Sequence, residues 1–396
     1  MPTLVMNMDA LRHNARQVRR LAGRWGLSVL PVLKAVASHP AAVAALTEAG
    51  AFTRFGCAEA AEADQAGLGP AGRCLIQLTA LSRVRQTAET FQRSFQAVPE
   101  VLAALNQATA ALGRKHEVVL MVDLDDEREG VNPEDLPELL DYARTLPHLT
   151  VKGFGATTTC LGHRLPDQRL ADDLRALRSV FAGGPEPEIS LGGTVWAAWV
   201  DQAGPGVITE LRLGDPFILG EDIYRQTALP GGPFRTDVCR LEAEVLEIRT
   251  RRPGPGLNGG AGPAGHVAGL PEPPDRPRPG QRRRALLDLG RFHSAADLIQ
   301  NGGHGDFILS GLNCRLPGAF IAGISAGYLV LDITDCAEEP RVGQTISFKP
   351  SYWSIAEAFR NWGVLIKPAF DPEEKNPESA RPAPAFDRAG NEPAHG

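Results

Sequence analysis

Short apolar runs alternate with amphipathic stretches through the first half of the chain. The runs are Leu27–Leu33, Thr53–Cys57, Cys74–Leu78, Ser94–Val98, Val118–Val122, Val151–Gly155, Glu188–Leu191 and Thr209–Leu213. Each has the length of a strand buried on both faces. Between them, stretches such as Asp9–Ala22, Pro40–Ala49, Ala58–Ala66, Val98–Leu112 and Leu136–Leu146 place apolar residues at helical spacing. Eight strands alternating with helices predict a (β/α)8 barrel. A doubly wound open sheet is the alternative. It usually has fewer strands, and no glycine-rich dinucleotide loop follows the first run.

After Asp215 the texture changes. Val238–Ile248, Ala285–Leu289, Phe320–Ile324, Leu329–Ile333 and Thr345–Phe348 are strand-like and separated by turn residues, with no long helical pattern until Ser354–Trp362. This predicts a mostly antiparallel β domain. Thr3–Met8 is also strand-like and is expected to pair with it. The expected organisation is a barrel over 10–225 and a β domain built from 1–9 and 226–370. A Pro/Gly-rich loop over 253–283 and a polar, Pro-rich tail over 371–396 have little to bury and are predicted to lack regular structure.

Composition narrows the class. The chain has 396 residues, 43% of them hydrophobic, enough for one large core and a smaller second domain. Net charge is −6 with the basic residues scattered, so nucleic acid is not expected as a partner. The run Gln281-Arg282-Arg283-Arg284 reads as the solvated start of a strand. Six cysteines lie far apart without CxxC spacing, which fits a reducing compartment. The opening residues have no basic, then apolar, leader pattern, and no segment approaches the ~20 apolar residues of a membrane span. A cytoplasmic protein with no membrane partner is expected.

A barrel carries its chemistry at the C-terminal ends of its strands. The first run ends Leu33-Lys34, which points a lysine into the barrel mouth. Desolvation there lowers an amine's pKa and makes it a nucleophile toward an aldehyde. On position alone, a lysine snorkelling at the rim is the alternative. The fifth run ends in a charged loop, Asp123 to Gly130, where Arg128 is a candidate for holding a carboxylate and a local salt-bridged loop is the alternative. The seventh ends Gly192-Gly193-Thr194 ahead of a predicted helix, a candidate phosphate site. The eighth ends Leu211-Arg212-Leu213-Gly214-Asp215, with Arg212 inward, either functional or paired within the barrel.

Together these motifs resemble the alanine racemase-like, fold type III pyridoxal 5′-phosphate (PLP) enzymes, and within them the ornithine racemase branch. The resemblance is carried by Leu4-Val5-Met6-Asn7-Met8-Asp9, Leu33-Lys34, Met121-Val122-Asp123 with Arg128-Glu129-Gly130, Gly192-Gly193, Leu211 to Asp215, and Leu329 to Asp335. It runs from about residue 3 to residue 360. It implies PLP as cofactor and Lys34 as the Schiff-base lysine that also moves a proton on one face of the substrate carbon. Arg212 matches the arginine that donates to the pyridine nitrogen. Thr194, Gly214 and Asp215 fall in the phosphate-binding stretches, Tyr352 near a late tyrosine that reaches the phosphate, and Arg128 at the substrate-carboxylate arginine. A homodimer is implied.

Several positions depart from alanine racemase itself. Ser38 stands where a phosphate-contacting tyrosine is expected, Met121 replaces a carbamylated lysine, Thr157 replaces a histidine, and Ala326-Gly327 replaces a Met-Asp pair. The tyrosine base has no tyrosine counterpart in the Pro/Gly segment, where His266 lies close to its place. His293, His304 and Tyr328 are further candidates for the second proton carrier that racemisation through a planar carbanion calls for. The expected activity is racemisation of a free amino acid, ornithine-like or otherwise basic or polar. The alternatives are a PLP lyase on the same fold and a PLP-binding protein without turnover.

Overall fold

The computed structural model describes residues 1–162, 164–222, 227–230, 232–251, 282–293, 297–300, 307–310 and 312–371. Eight parallel strands form the first layer: Ser28–Pro31, Phe55–Cys57, Arg73–Leu75, Arg93–Gln96, His116–Met121, Leu149–Thr157, Glu188–Gly192 and Glu210–Leu213. From the second to the eighth, each pairs with its sequence neighbour, and the first pairs with the eighth. A single parallel bridge, Val32 to Gly56, closes the ring between the first and second strands. Each of the eight expected apolar runs overlaps one of these strands, because a strand covered by helices outside and side chains inside is buried on both faces.

Helices cover the outside. Met8–Trp25 starts where Asn7 Oδ1 accepts from the Asp9 and Ala10 amides, both at 3.1 Å, and stops at Gly26 in the left-handed region (φ 70°). Its Leu11, Val18 and Leu21 are buried in the main core, worth roughly 1.5–3 kcal/mol each. Gln168–Ser179 is capped by Asp167, which accepts from the Leu170 amide at 2.8 Å. Inside the barrel, Leu30, Cys74, Phe95, Val119 and Met121 pack as a separate apolar cluster. Met121 therefore fills space, in keeping with a side chain that has no polar head.

The second layer is an antiparallel sheet in the order Leu312–Cys314, Thr345–Pro350, Cys239–Arg251, Arg282–Leu287, Leu329–Asp332, Phe320–Ile324. The N-terminal strand Thr3–Asn7 joins it as expected, pairing antiparallel with Cys239–Arg251. It also pairs in parallel with a strand the periodicity does not indicate, Leu365–Ala369. The last helix spans Tyr352–Arg360, two residues earlier than the apolar spacing suggests. The reason is its cap: Ser351 Oγ accepts from the Ser354 amide at 3.3 Å, while Trp362 is left outside, 93% exposed.

The Pro/Gly segment needs one correction. Arg282 and Arg283, placed inside the expected 253–283 loop although their run reads as the start of a strand, open strand Arg282–Leu287 against Arg251 and Thr250. Residues 252–281, and with them His266, lie outside the described residues, as do His304 and 372–396.

Candidate active site

The site is built at the C-terminal mouth, where the first, seventh and eighth barrel strands end side by side. Val32 donates its amide to Leu213 O at 2.8 Å, and Leu30 stands in register with Arg212. Arg212 thus lies deep in the barrel, and Lys34, four residues past Leu30, lies at the rim. Lys34 begins a single 3-10 turn, Lys34–Val36. The turn is followed by two non-glycine residues in the left-handed region, Ala37 (φ 45°) and Ser38 (φ 51°). Ser38 is fully buried, with its hydroxyl 3.7 Å from the Cys57 sulfur.

Arg212 is held on both sides of its guanidinium. Nη1 donates to Ser190 O at 2.6 Å and Ser190 Oγ at 3.1 Å. Nη2 donates to Ala156 O at 2.8 Å and Thr157 Oγ1 at 3.0 Å. The two hydroxyls donate in turn to carboxylates, Ser190 to Glu210 at 2.6 Å and Thr157 to Glu129 at 3.3 Å. Phe95 lies under the guanidinium, 4.5 Å from its centre. Burial lowers the Arg212 pKa to about 10, against the opposing pull of Glu210, so the group stays charged at neutral pH. The cation fits because two neighbours lack side chains. A Cβ on Gly155 would sit 2.9 Å from Nη1, and one on Gly192 2.8 Å from Nη2.

Around the rim, Thr194 precedes helix Val195–Ala203, and its hydroxyl donates to Asp215 Oδ2 at 3.1 Å. Asp215 opens the short helix Asp215–Ile218 directly after Gly214. Tyr352 comes in from the β domain. Burial, then the charge of Asp215, pushes its phenol well above the ordinary range, with Arg360 opposing. Its hydroxyl therefore keeps its proton and remains a donor.

The loop after the fifth strand is also organised. Asp126 Oδ1 accepts the amides of Cys160, Leu161 and Gly162 at 2.7, 3.1 and 3.1 Å, tying it to the loop after the sixth strand. Arg128 makes a two-point pair with Glu129 through Nε and Nη2. Its Nη1 has no hydrogen-bond partner among the described residues. His293 and Tyr328 stand in adjacent loops of the β domain. Arg291 donates to Ser325 O at 3.0 Å and Phe292 to Ala326 O at 2.9 Å. No described hydrogen bond joins His293 or Tyr328 to Lys34 or Arg212.

The structure thus brings Lys34, Thr194, Arg212, Gly214, Asp215 and Tyr352 to one mouth. It adds residues that the strand ends do not reveal: Ser190 and Glu210 behind Arg212, Glu129 beside Thr157, and Arg360 with Glu62 behind Lys34. Ser190 and Glu210 carry a weak signal, being polar residues inside otherwise apolar strands.

Comparison with known proteins bears on the family and the fold. The family model described as alanine racemase, N-terminal domain, matches residues 6–214. The chain belongs to the alanine racemase family. It is 26% identical over 365 residues to the ornithine racemase of Acetoanaerobium sticklandii, covering 90% of this chain and 97% of that protein. It is 25% identical over 378 residues to the lysine racemase of Thermotoga maritima, covering 94% and 99%. Two solved structures share the fold. Alanine racemase from Bartonella henselae with covalently bound pyridoxal phosphate has a TM-score of 0.67 at 16% identity, over 93% of this chain and 99% of that one. D-threonine aldolase from Filomicrobium marinum has 0.66 at 17%, over 91% and 89%. In class the protein is a PLP-dependent isomerase of the amino-acid racemase type.

The residues present suit that cofactor. A primary amine at the rim faces an aldehyde's chemistry, a permanently charged donor lies below it, and a helix start with a hydroxyl and a protonated phenol stands to one side. The space Gly155 and Gly192 leave open is taken by the Arg212 cation itself, so the deep donor is built into the barrel.

Proposed function

We propose that the protein racemises a free basic amino acid, ornithine-like or lysine-like, in the cytoplasm, with PLP anchored at Lys34. The observation that carries this is the shared mouth of Lys34, Arg212 and the Thr194–Asp215 pair. PLP, when bound, supplies a conjugated system that draws electron density from the substrate α-carbon. Lys34 Nζ holds and returns a proton on one face of that carbon. Arg212 keeps a hydrogen bond on the pyridine nitrogen without giving up its proton, which weakens the electron sink and favours return of the proton to the α-carbon. Thr194, the Gly214 and Asp215 backbone, and the Tyr352 hydroxyl hold the phosphate. Glu129 occupies two donors of Arg128, so a substrate carboxylate meets Nη1. His266 is the proposed proton carrier on the opposite face.

Two features support the substrate class. The loop from Asp123 to Glu129 carries five carboxylates and one guanidinium, a field that favours a cationic side chain. The relatives named for ornithine and lysine extend over nearly the whole chain. Exposed Trp353, Trp362 and Phe292 on the β domain support a homodimer.

The test is a chiral chromatographic screen of PLP-loaded protein against a panel of L-amino acids. Interconversion of ornithine or lysine enantiomers, with alanine far slower, is expected. Fast alanine racemisation would refute the substrate class. Release of an aldehyde from β-hydroxy amino acids without racemisation would replace the reading with a lyase.

A further inference from the structure

The helix Tyr352–Arg360 follows a strand of the β domain, yet it reaches the barrel mouth at both ends. Its first residue, Tyr352, feels the charge of Asp215 beside the phosphate stretch. Its last turn lies on the lysine turn. Phe359 meets His39 edge to face, ring centres 5.7 Å apart. Arg360 Nη2 donates to the main-chain oxygen of Lys34 at 2.7 Å and pairs with Glu62 Oε1. Arg360 Nη1 returns to Ala356 O at 3.0 Å, which fixes the guanidinium against its own helix.

Glu62 is buried, and its second oxygen accepts the Ala58 amide at 2.9 Å, just past the second barrel strand. One guanidinium therefore joins the lysine turn, the loop after the next strand and the β domain. The lysine turn needs such a restraint. Among the described residues, the other hydrogen bond to Lys34 O comes from the Ala37 amide at 3.3 Å. The chain then passes through two left-handed non-glycine residues, a conformation that persists only where surroundings impose it.

We infer that Arg360 is a positioning residue for Lys34: held by Glu62, it fixes the main chain of the lysine turn, so that cofactor loading depends on the seating of this helix. The inference rests on the reading of Lys34 as the PLP anchor. Arg360 and Glu62 lie 326 and 28 residues from Lys34 in sequence, so no strand-end motif includes either of them.

The test uses the full-length protein with Arg360→Met, Arg360→Lys and Glu62→Gln. Hydrogen exchange at the amides of residues 34–38 is followed without PLP. PLP affinity and the pH titration of the visible cofactor band are followed with it. Arg360→Met is expected to speed exchange at 34–38 and to weaken PLP binding, each by about tenfold, the worth of one charged hydrogen bond. The titration midpoint should shift, and Arg360→Lys should restore part of the affinity. Arg360→Met leaves the buried Glu62 carboxylate without its cation and should lower the urea midpoint; combining it with Glu62→Gln removes that charge, and the faster exchange and weaker PLP binding should persist in the double variant. Exchange, PLP affinity or titration of Arg360→Met matching wild type within about twofold would overturn the role of Arg360 alone. A wild-type protein that forms no visible band with PLP would instead overturn the reading of Lys34, and this role with it, even if the exchange result held.

Discussion

Replacing Arg212 by lysine tests the deep half of the site. The guanidinium serves acceptors on two strands at once: Ser190 O and Oγ on one side, Ala156 O and Thr157 Oγ1 on the other. An ammonium is a single point on a shorter reach and can satisfy one side only. The other side then loses its donors in a buried site, at about 1–3 kcal/mol per stranded group. The stacking on Phe95 goes as well. A loss of about 2–4 kcal/mol is expected for Arg212→Lys, read as a lowered urea midpoint of the cofactor-free protein. Arg212→Glu is expected to be worse, about 3–5 kcal/mol or more. It would aim a carboxylate at two carbonyls, with Glu210 and Glu129 each one hydroxyl away. In the PLP-loaded protein, Arg212→Lys should also form more pyridoxamine phosphate per racemisation event. A variant within about 0.5 kcal/mol of wild type, with unchanged partitioning, would show that the four hydrogen bonds do not hold this cation.

Gly192→Ala should mimic part of that effect with the arginine still present, because its Cβ would fall 2.8 Å from Nη2; slowed turnover at near-normal PLP affinity is expected, and wild-type rates would refute the tight fit. His116 is fully buried against Ser94 Oγ at 2.8 Å, and burial lowers its pKa to about 4. The unfolded chain takes up this proton near pH 6.5 and the folded chain does not, so stability is lost as pH falls from 6.5 toward 4, by up to about 3 kcal/mol. The stability gap between wild type and His116→Gln should narrow over that range, and a constant gap would contradict the assignment. His266→Asn should impair α-proton exchange in D2O from one enantiomer far more than from the other; equal, near-wild-type exchange would move the search to His293, His304 and Tyr328. Removal of residues 372–396 should leave activity intact, since Asp371, which pairs with Arg235, is retained; a truncated protein without turnover would refute this.

What the sequence made legible follows from what each feature depends on. The eight barrel strands could be read because burial on both faces writes short, mostly apolar runs, even where buried polar residues such as Ser94, Gln96 and Glu210 interrupt them. Leu365–Ala369 could not, because Lys367 and Pro368 break any pattern and most of the strand is exposed at the sheet edge. Lys34, Arg212 and Thr194 were legible as polar residues at the ends of apolar strands, where a barrel keeps its chemistry. Their roles came from the resemblance, since position left each with a structural alternative. Glu62 and Arg360 were not legible: each is an ordinary charged residue on a helix until folding brings it to the lysine turn. Arg128 shows the opposite limit. Its place in the loop was readable, but its capture by Glu129 depends on how the loop folds.

The central claim is that Lys34 is the covalent anchor of the cofactor. Borohydride reduction of the PLP-loaded protein, followed by proteolysis and mass spectrometry, tests it directly. The account predicts a pyridoxyl group on Lys34, and no incorporation and no turnover in Lys34→Ala. A pyridoxyl group on any other lysine, or a Lys34→Ala variant that still forms the visible band and racemises its substrate, would contradict it.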